Sequence, residues 1–344
     1  EGQYLWQGDR LNLVAGIAHS KVDRDETSDL SAVDPLGFFG TPGASFPVDA
    51  TQSTNEFKHS RGYLYANWSV SNSLVTTLGF SYEDFERNEF SKDEFYPKLG
   101  LRWNISNTVT ARLAAFKVMK PVLVANRTLE PTQIAGFNQF FDDINATESE
   151  SLAGGVDWIV SRQLTFGGEL TKRDLEEPVL TGPTSAVFED RTEEVHRLYG
   201  HWTPTNQLSI NGQIIYDKYS SDQGLATDFD NLPLRVETVS VPLGLTYFHP
   251  SGLFAGVVGT YVDQEVKRSD LATQASGDDS FYLVDVALGY RLPKRMGTLS
   301  IGVKNLFDQD FYYQDDSYRE FRDEPSTGPY FPERTILGQL TLSF

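Results

Sequence analysis

The stretch Trp202-Thr203-Pro204-Thr205-Asn206-Gln207-Leu208-Ser209-Ile210-Asn211-Gly212-Gln213-Ile214-Ile215-Tyr216-Asp217-Lys218 reads as an aromatic strand end, a short polar turn and a strand of period two. Leu208, Ile210, Gly212, Ile214 and Tyr216 share one face, Ser209, Asn211, Gln213 and Asp217 the other, and only Ile215 breaks the alternation. The same arrangement recurs at Trp6 before Gly8-Asp9, Trp68 before Ser71-Asn72, Trp103 before Ser106-Asn107, Trp158 before Ser161-Arg162, Phe248 before Ser251-Gly252 and Tyr290 before Met296-Gly297. All five tryptophans of the 344-residue chain sit at this recurrent place. An indole is stable where its ring touches acyl chains and its N–H reaches headgroups or water, so a row of them marks a membrane interface. The pattern predicts an all-β, antiparallel, up-and-down transmembrane β-barrel with these turns along one rim, and Trp6, Trp68, Trp103, Trp158, Trp202, Phe248 and Tyr290 as its girdle.

Composition agrees. No run approaches the roughly 18 apolar residues of a spanning helix, and a closed barrel is the other structure that satisfies every backbone polar group in hydrocarbon. A barrel with an apolar belt outside and a polar lumen inside has an unremarkable mean hydropathy, here −0.36. The net charge of −19 argues against a nucleic-acid partner and fits acidic loops on a bacterial surface. The absence of cysteine carries little weight. Glu1-Gly2-Gln3 has neither the basic nor the apolar part of an export signal.

Turn-to-turn reading gives about fifteen strand segments. Leu99, Leu101, Trp103 and Ile105 alternate with Lys98, Arg102 and Asn104, and Val109, Ala111, Leu113 and Ala115 alternate with Thr110 and Arg112; only Leu253–Val262 is apolar on both faces. Short connections alternate with long acidic ones at Asp23–Phe57, Glu83–Glu94, Pro121–Glu148, Glu176–Thr192, Ser220–Pro233, Asp263–Asp278 and Asp308–Pro332. Short periplasmic turns and long extracellular loops place the tryptophans at the periplasmic rim. Counting strand directions back from Phe344 makes Gln3–Trp6 the lower end of a descending strand. The whole of 1–344 then reads as one barrel domain lacking earlier strands and any plug or periplasmic domain, with sixteen or more strands when intact; the alternative is that residues 1–10 are a periplasmic lead-in and the barrel closes with fourteen.

The alternation sends Lys98, Arg102, Arg112, Asp157, Glu169, Arg197, Asp217, Asp285, Arg291 and Lys304 into the lumen, where such charges line a pore or dock a plug. Gly16, Gly79, Gly100, Gly155, Gly167, Gly244, Gly289 and Gly302 share that register, read here as relief of barrel curvature. His19, His59, His196, His201 and His249 read as rim residues without metal-ligand spacing. No nucleophile has a nearby base, so catalysis is not expected. The segment Asp308–Glu324 packs Asp308, Asp310, Asp315, Asp316, Glu320, Asp323 and Glu324 among Phe311, Tyr312, Tyr313, Tyr318 and Phe321. Its oxygens suit calcium, although a solvated loop bridged to lipopolysaccharide by divalent ions is the simpler expectation, and no other cofactor is indicated.

The last strand pair carries the most specific motif. Gly302-Val303-Lys304-Asn305-Leu306-Phe307-Asp308, an aromatic-rich loop, then Pro332-Glu333-Arg334-Thr335 and a strand ending in Phe344 resemble the C-terminal hairpin of TonB-dependent receptors, with Glu333 where glycine is usual. The resemblance implies that Phe344 is read by the barrel-assembly machinery. It also implies an N-terminal plug and an energy-coupling partner, and nothing in 1–344 resembles the plug. Separately, Asn126-Arg127-Thr128-Leu129-Glu130-Pro131-Thr132-Gln133 with Gly136-Phe137-Asn138-Gln139-Phe140-Phe141-Asp142-Asp143 is similar to barrels fused to periplasmic tetratricopeptide repeats.

The functional expectation is an outer-membrane transport barrel of the TonB-dependent-receptor type, embedded among outer-membrane lipid and lipopolysaccharide, that captures a solute on long acidic loops. Its rivals are a plugless channel or exopolysaccharide exporter on a periplasmic scaffold, and an adhesive or structural surface barrel. Strand number separates the first two, since barrels of about sixteen strands leave an aqueous channel and those of about twenty-two are plugged.

Overall fold

A computed structural model describes residues 1–34, 44–122, 127–141, 143–182, 185–222, 233–269, 276–314, 330–331 and 333–343, with side chains described outside 24–55, 180–182 and 295. Phe344 and the acidic and aromatic positions from Asp315 to Glu324 lie outside the described residues. The strands are β1 (Gly2–Gln7), β2 (Leu11–Asp34), β3 (Ala44–Ser69), β4 (Leu74–Arg87), β5 (Phe90–Asn104), β6 (Val109–Met119), β7 (Gln133–Ile134), β8 (Phe137–Asn138), β9 (Glu148–Ser161), β10 (Leu164–Gly182), β11 (Ser185–Thr205), β12 (Leu208–Ser221), β13 (Pro233–Phe248), β14 (Leu253–Arg268), β15 (Gly277–Arg291), β16 (Gly297–Lys304) and β17 (Thr335–Leu342). Fifteen of them form one antiparallel sheet in chain order, with β6 pairing β9, while β7 and β8 make a separate two-stranded hairpin. Among the described residues no helix is long and apolar enough to cross a membrane.

The two faces of the sheet differ as the period-two reading requires. Outward from successive strands stand Leu78 and Phe80, Leu99, Leu113, Leu152 and Val156, Phe166 and Leu170, Leu198, Ile214, Leu243 and Leu245, Val257, Leu288, Leu299, Ile301 and Leu340, all exposed. The opposite face holds the buried side chains, among them Tyr63, Tyr65, Ser81, Glu83, Phe85, Tyr96, Lys98, Ala114, Phe116, Arg173 and Glu193. Burying polar groups inward and exposing leucines outward is the reverse of a soluble fold and the arrangement that hydrocarbon selects.

The five tryptophans stand on the outward register, each between 43 and 50% exposed. Four of them lie in cross-strand pairs with first residues of neighbouring strands, Trp68 with Leu11, Trp103 with Leu74, Trp158 with Val109 and Trp202 with Leu164, and Trp6 pairs with Leu13. Tyr290 also falls on the outward register, half-buried. Phe248 does not. It shares the register of buried Thr238, Ser240 and Gly244, so it points inward, where the Arg291 guanidinium lies 4.7 Å from its ring centre. The neighbouring Tyr247 is the outward aromatic, and the strand-end position alone cannot tell two adjacent aromatics apart.

Several spans read as long loops are tall strand extensions. Paired strand continues to Asp34 and resumes at Ala44, runs through Arg87 to Phe90, and fills 176–192 up to Gly182 and from Ser185. Above the membrane both faces meet water, so hydrophobic periodicity vanishes although the backbone ladder persists. The glycines read as curvature relief also answer a steric need. A Cβ on Gly16 would stand 2.2 Å from the Tyr63 ring, and one on Gly167 would stand 2.3 Å from the Tyr199 ring. Each of these two glycines seats an inward tyrosine of the adjacent strand.

The motif of the last hairpin acts as a clasp. Asn305, buried and at φ 49°, donates its side-chain amide to the carbonyls of Gln309 (2.8 Å) and Phe331 (3.2 Å) and accepts from Gln309 N–H (2.9 Å). Asp308 accepts from Arg334 N–H at 2.8 Å and from its guanidinium at 3.2 Å, which holds the Asp308 carboxyl below the usual range. Asn305 and Arg334 thus join the two ends of the loop leading into β17.

The register makes a paired prediction. Leu113→Arg places a cation on the outward belt, at a cost of about 2–4 kcal/mol near the bilayer midplane, whereas Thr110→Arg enters the polar inner register. The first should abolish the heat-modifiable folded band in outer-membrane fractions and the second should retain it.

Candidate functional site

The connection between β6 and β9 turns inward instead of projecting. Its base is closed by Lys120 N–H to the Thr147 carbonyl (2.7 Å) and Ala146 N–H to the Lys120 carbonyl (3.0 Å). Its far end is the β7–β8 hairpin, turned at Ala135 (φ 49°) and Gly136 (φ 93°), the two left-handed positions of a two-residue hairpin turn. Ile134 is fully buried, and a Cβ on Gly100 would stand 2.8 Å from its methyl and 3.1 Å from the Ala135 Cβ. Ile134 and Phe137 join Tyr63, Tyr65, Ala114, Phe116, Val118 and Ala153 in one apolar cluster on the inner wall. A Cβ on Gly136 would meet the Arg112 guanidinium at 2.8 Å, three residues from the start of β6, so the hairpin reaches almost to the short-turn rim.

A buried polar network holds the same segment. Glu130 lies 3.7 Å from Lys98 Nζ and 3.4 Å from an Arg61 guanidinium nitrogen, and accepts from the Tyr65 hydroxyl at 2.5 Å. Lys98 donates to Ser81 Oγ (2.7 Å), Ser81 to Glu83 (2.9 Å), and the other Glu83 oxygen faces His59 Nε2 at 3.0 Å. The Tyr65 hydroxyl also accepts from the Gln139 amide at 3.1 Å. Glu1 reaches Arg61 at 3.3 Å and accepts from Leu129 N–H at 2.9 Å, while Gln3 donates to the Leu129 carbonyl at 2.5 Å. Burial pushes the Glu130 carboxyl above its ordinary range, against the pull of Lys98 and Arg61. Near the base, Arg173 pairs with Asp143 (2.5 Å) and Glu193 (2.7 Å), with its guanidinium 3.8 Å from the Phe141 ring centre.

The residues selected from the sequence take several places on this wall. Arg112 contacts Asp157 at 3.1 Å and Glu169 at 2.6 Å, and Arg197 contacts Glu169 at 2.8 Å, with the Tyr199 hydroxyl also on Asp157. These five form one cluster below the hairpin, and Arg112 lies 4.9 Å from the Phe137 ring centre. Lys304 and Asp285 pair at 3.0 Å, far along the sheet. Lys98 stands apart from both groups, beneath Glu130. Arg102 and Asp217 keep the inner register, the first exposed and the second half-buried, and Arg291 ends β15 over Phe248.

Several members of the network went unselected. Arg61 and Glu83 lie on the inner register of β3 and β4, and strict alternation would have found them. His59, read as a rim residue, is buried in the wall against Glu83. Glu130 had no signal, because nothing in a Thr-Leu-Glu-Pro stretch says that it returns inside. Among the described residues, no group of three or more His, Asp or Glu side chains is placed to hold a metal ion. The arrangement is a wall of paired charges with a second layer of chain laid over part of it.

The family model for the β-barrel of TonB-dependent-receptor-like proteins matches residues 2–306. The chain belongs to this family. As a TonB-dependent receptor barrel it is a protein of the bacterial outer membrane, as the girdle and belt require. No curated protein sequence matches it. Among solved structures it is similar to the ferric-catecholate import receptor Fiu of E. coli K12 in its closed form, at 13% identity and a TM-score of 0.63, covering 99% of this chain and 53% of that one. It is also similar to the FrpB iron transporter of Neisseria meningitidis, at 12% identity and 0.65, over 97% of this chain and 53% of the other. The copper transporter OprC aligns at 16% identity and 0.61, over 99% and 55% respectively. The chain therefore spans about half the length of these receptors, and at such identities the likeness is one of fold.

In this receptor barrel the pairing of Glu130 with the wall is open to direct test. Glu130→Ala leaves Lys98 and Arg61 buried beside an empty site, a change that costs roughly 3–5 kcal/mol, whereas joint Glu130→Leu and Lys98→Met removes both members of one pair and should restore most of that stability. Urea unfolding in lipid vesicles, followed by tryptophan fluorescence, measures both. Parent-like unfolding of Glu130→Ala would show that this contact does not anchor the segment.

Proposed function

We propose that the chain forms the wall of an outer-membrane import receptor that takes up a solute, delivered from outside, through the barrel interior. The reading is supported by membership of the receptor family together with the two-faced wall: leucines outside, and inside two groups of ion pairs, Lys98 with Glu130, and Arg112 with Asp157, Glu169 and Arg197. Charges on the inner register provide wet surface for a polar solute or for an internal domain that seals the barrel. The solved structures of similar fold include a ferric-catecholate import receptor and a copper transporter, so a metal ion or its organic chelate is the substrate class to test first. Passage against a gradient requires coupling to an inner-membrane energy source, and the chemistry of the wall is binding and transfer rather than catalysis.

The decisive experiment compares accumulation of a panel of labelled iron and copper chelates in cells with and without the gene, and in complemented cells treated with a protonophore. Accumulation of at least one chelate should fall to background on deletion and again on de-energising. Unchanged accumulation of all of them, together with a large steady conductance of the purified protein in planar bilayers, would replace import with an open channel.

A further inference from the structure

The sequence presents residues 121–148 as an outer loop, yet its described part lies inside, and its anchorage differs from that of a movable flap. Its apolar side, Ile134 and Phe137, is sunk in the wall between Tyr65, Ala114 and Phe116. Its carboxylate, Glu130, has a fully buried side chain beside Lys98, whose side chain is equally buried. Its base is tied by Asp143 to Arg173, and Ala146 packs with Phe85, Tyr96 and Met119 in a second cluster. A third tie comes from the start of the chain, through Glu1 and Gln3 to Thr128 and Leu129. Withdrawal would open two apolar clusters and separate several ion pairs at once, leaving Lys98, Arg61, His59 and Glu83 with their burial undone.

The side of the segment turned away from the wall is different in kind. Leu129, Thr132, Gln133 and Asn138 are exposed there, with Gln133 and Asn138 bonded to each other at 3.1 Å, and Arg127 is the charged member. The segment therefore covers a strongly charged stretch of wall and offers mostly uncharged amide, hydroxyl and aliphatic groups in its place. Farther along the sheet the inner register mixes small residues, Gly244, Gly256, Ala287, Gly289, Ser300 and Gly302, with a buried cluster of Val262, Phe281 and Leu283.

We infer that residues 127–141 and 143–146 are a resident inner lining that narrows the barrel permanently. A passing solute, or a domain sealing the barrel from within, meets its neutral hydrogen-bonding edge instead of the charges of β3–β5. In its transport aspect this rests on the import reading above, whereas the seating of the segment does not.

Residues 1–344 hold no cysteine, so Gly100→Cys with Ala135→Cys introduces the only two thiols of this span. The two Cβ positions, 3.1 Å apart, lie a few tenths of an ångström inside the usual disulfide spacing, and the Ile134 methyl at 2.8 Å must shift slightly. In outer membranes the oxidised variant should show full loss of free thiol by alkylation and gel shift, and chelate uptake should be the same before and after reduction. Uptake lost on oxidation and regained on reduction would overturn the inference and make the segment a gate; thiols that remain free would show that it is not seated.

Ala114→Cys, beneath the segment, gives a readout independent of transport. It should resist a water-soluble maleimide in the folded protein and react fully after denaturation. Labelling at the denatured rate in intact membranes overturns the inference even if import is confirmed. Protection combined with an absence of uptake in the parent would instead remove the import reading and leave the lining in place.

Discussion

Every backbone N–H and C=O that enters hydrocarbon must find a protein partner, and the rest of this molecule follows from that requirement. Antiparallel strands joined in chain order meet it by pairing with their neighbours, which is the pattern of the fifteen-stranded sheet, in which every strand between β1 and β17 is paired on both sides. Once the strands are paired, the period of two leaves each residue a choice between acyl chains and the interior. The outward leucines and the tryptophan row follow from the first choice, and the inward ion pairs from the second.

The interior must satisfy the polar groups sent there. Arg112 does so through Asp157 and Glu169, side chains of nearby strands, as the ladder supplies them. On the wall Lys98 has Ser81 as a neutral partner and Glu83 as a nearby carboxylate, while Arg61 stands near as a like charge. Glu130 adds a second carboxylate from a segment that is not part of the sheet. The inward fold of that segment and the charge content of β3–β5 thus support each other: the segment brings an anion to two cations, and the wall gives it those cations and an apolar bed. Gly100 completes the fit by leaving space for Ile134 where any side chain would stand.

Tall paired strands above the belt extend the same economy into water. Their polar residues alternate without hydrophobic contrast, and they carry cross-strand ion pairs such as Lys21 with Glu56 and Lys58 with Glu86. Exposed pairs of this kind contribute little individually, so the ladder itself carries these extensions. The clasp of Asn305, Asp308 and Arg334 does comparable work at the other end of the chain, where a long connection has to return in register to form β17.

Strand number in the sheet, the membrane-facing register and the tryptophan rim were legible in the sequence, because each follows from a local rule: alternation, turn chemistry and the amphipathic indole. The inward charges were legible for the same reason, from Lys98 to Lys304. Phe248 was not, since two adjacent aromatics at a strand end satisfy the same local pattern and only the hydrogen-bonded register separates them. Nor was the interior position of Glu130, nor the burial of His59. Those depend on contacts between residues tens of positions apart in the chain, such as Glu130 with Tyr65 and Lys98. Local periodicity determines which side of a strand faces oil. Where a polar segment without periodicity comes to rest is decided by the partners that the assembled wall offers it.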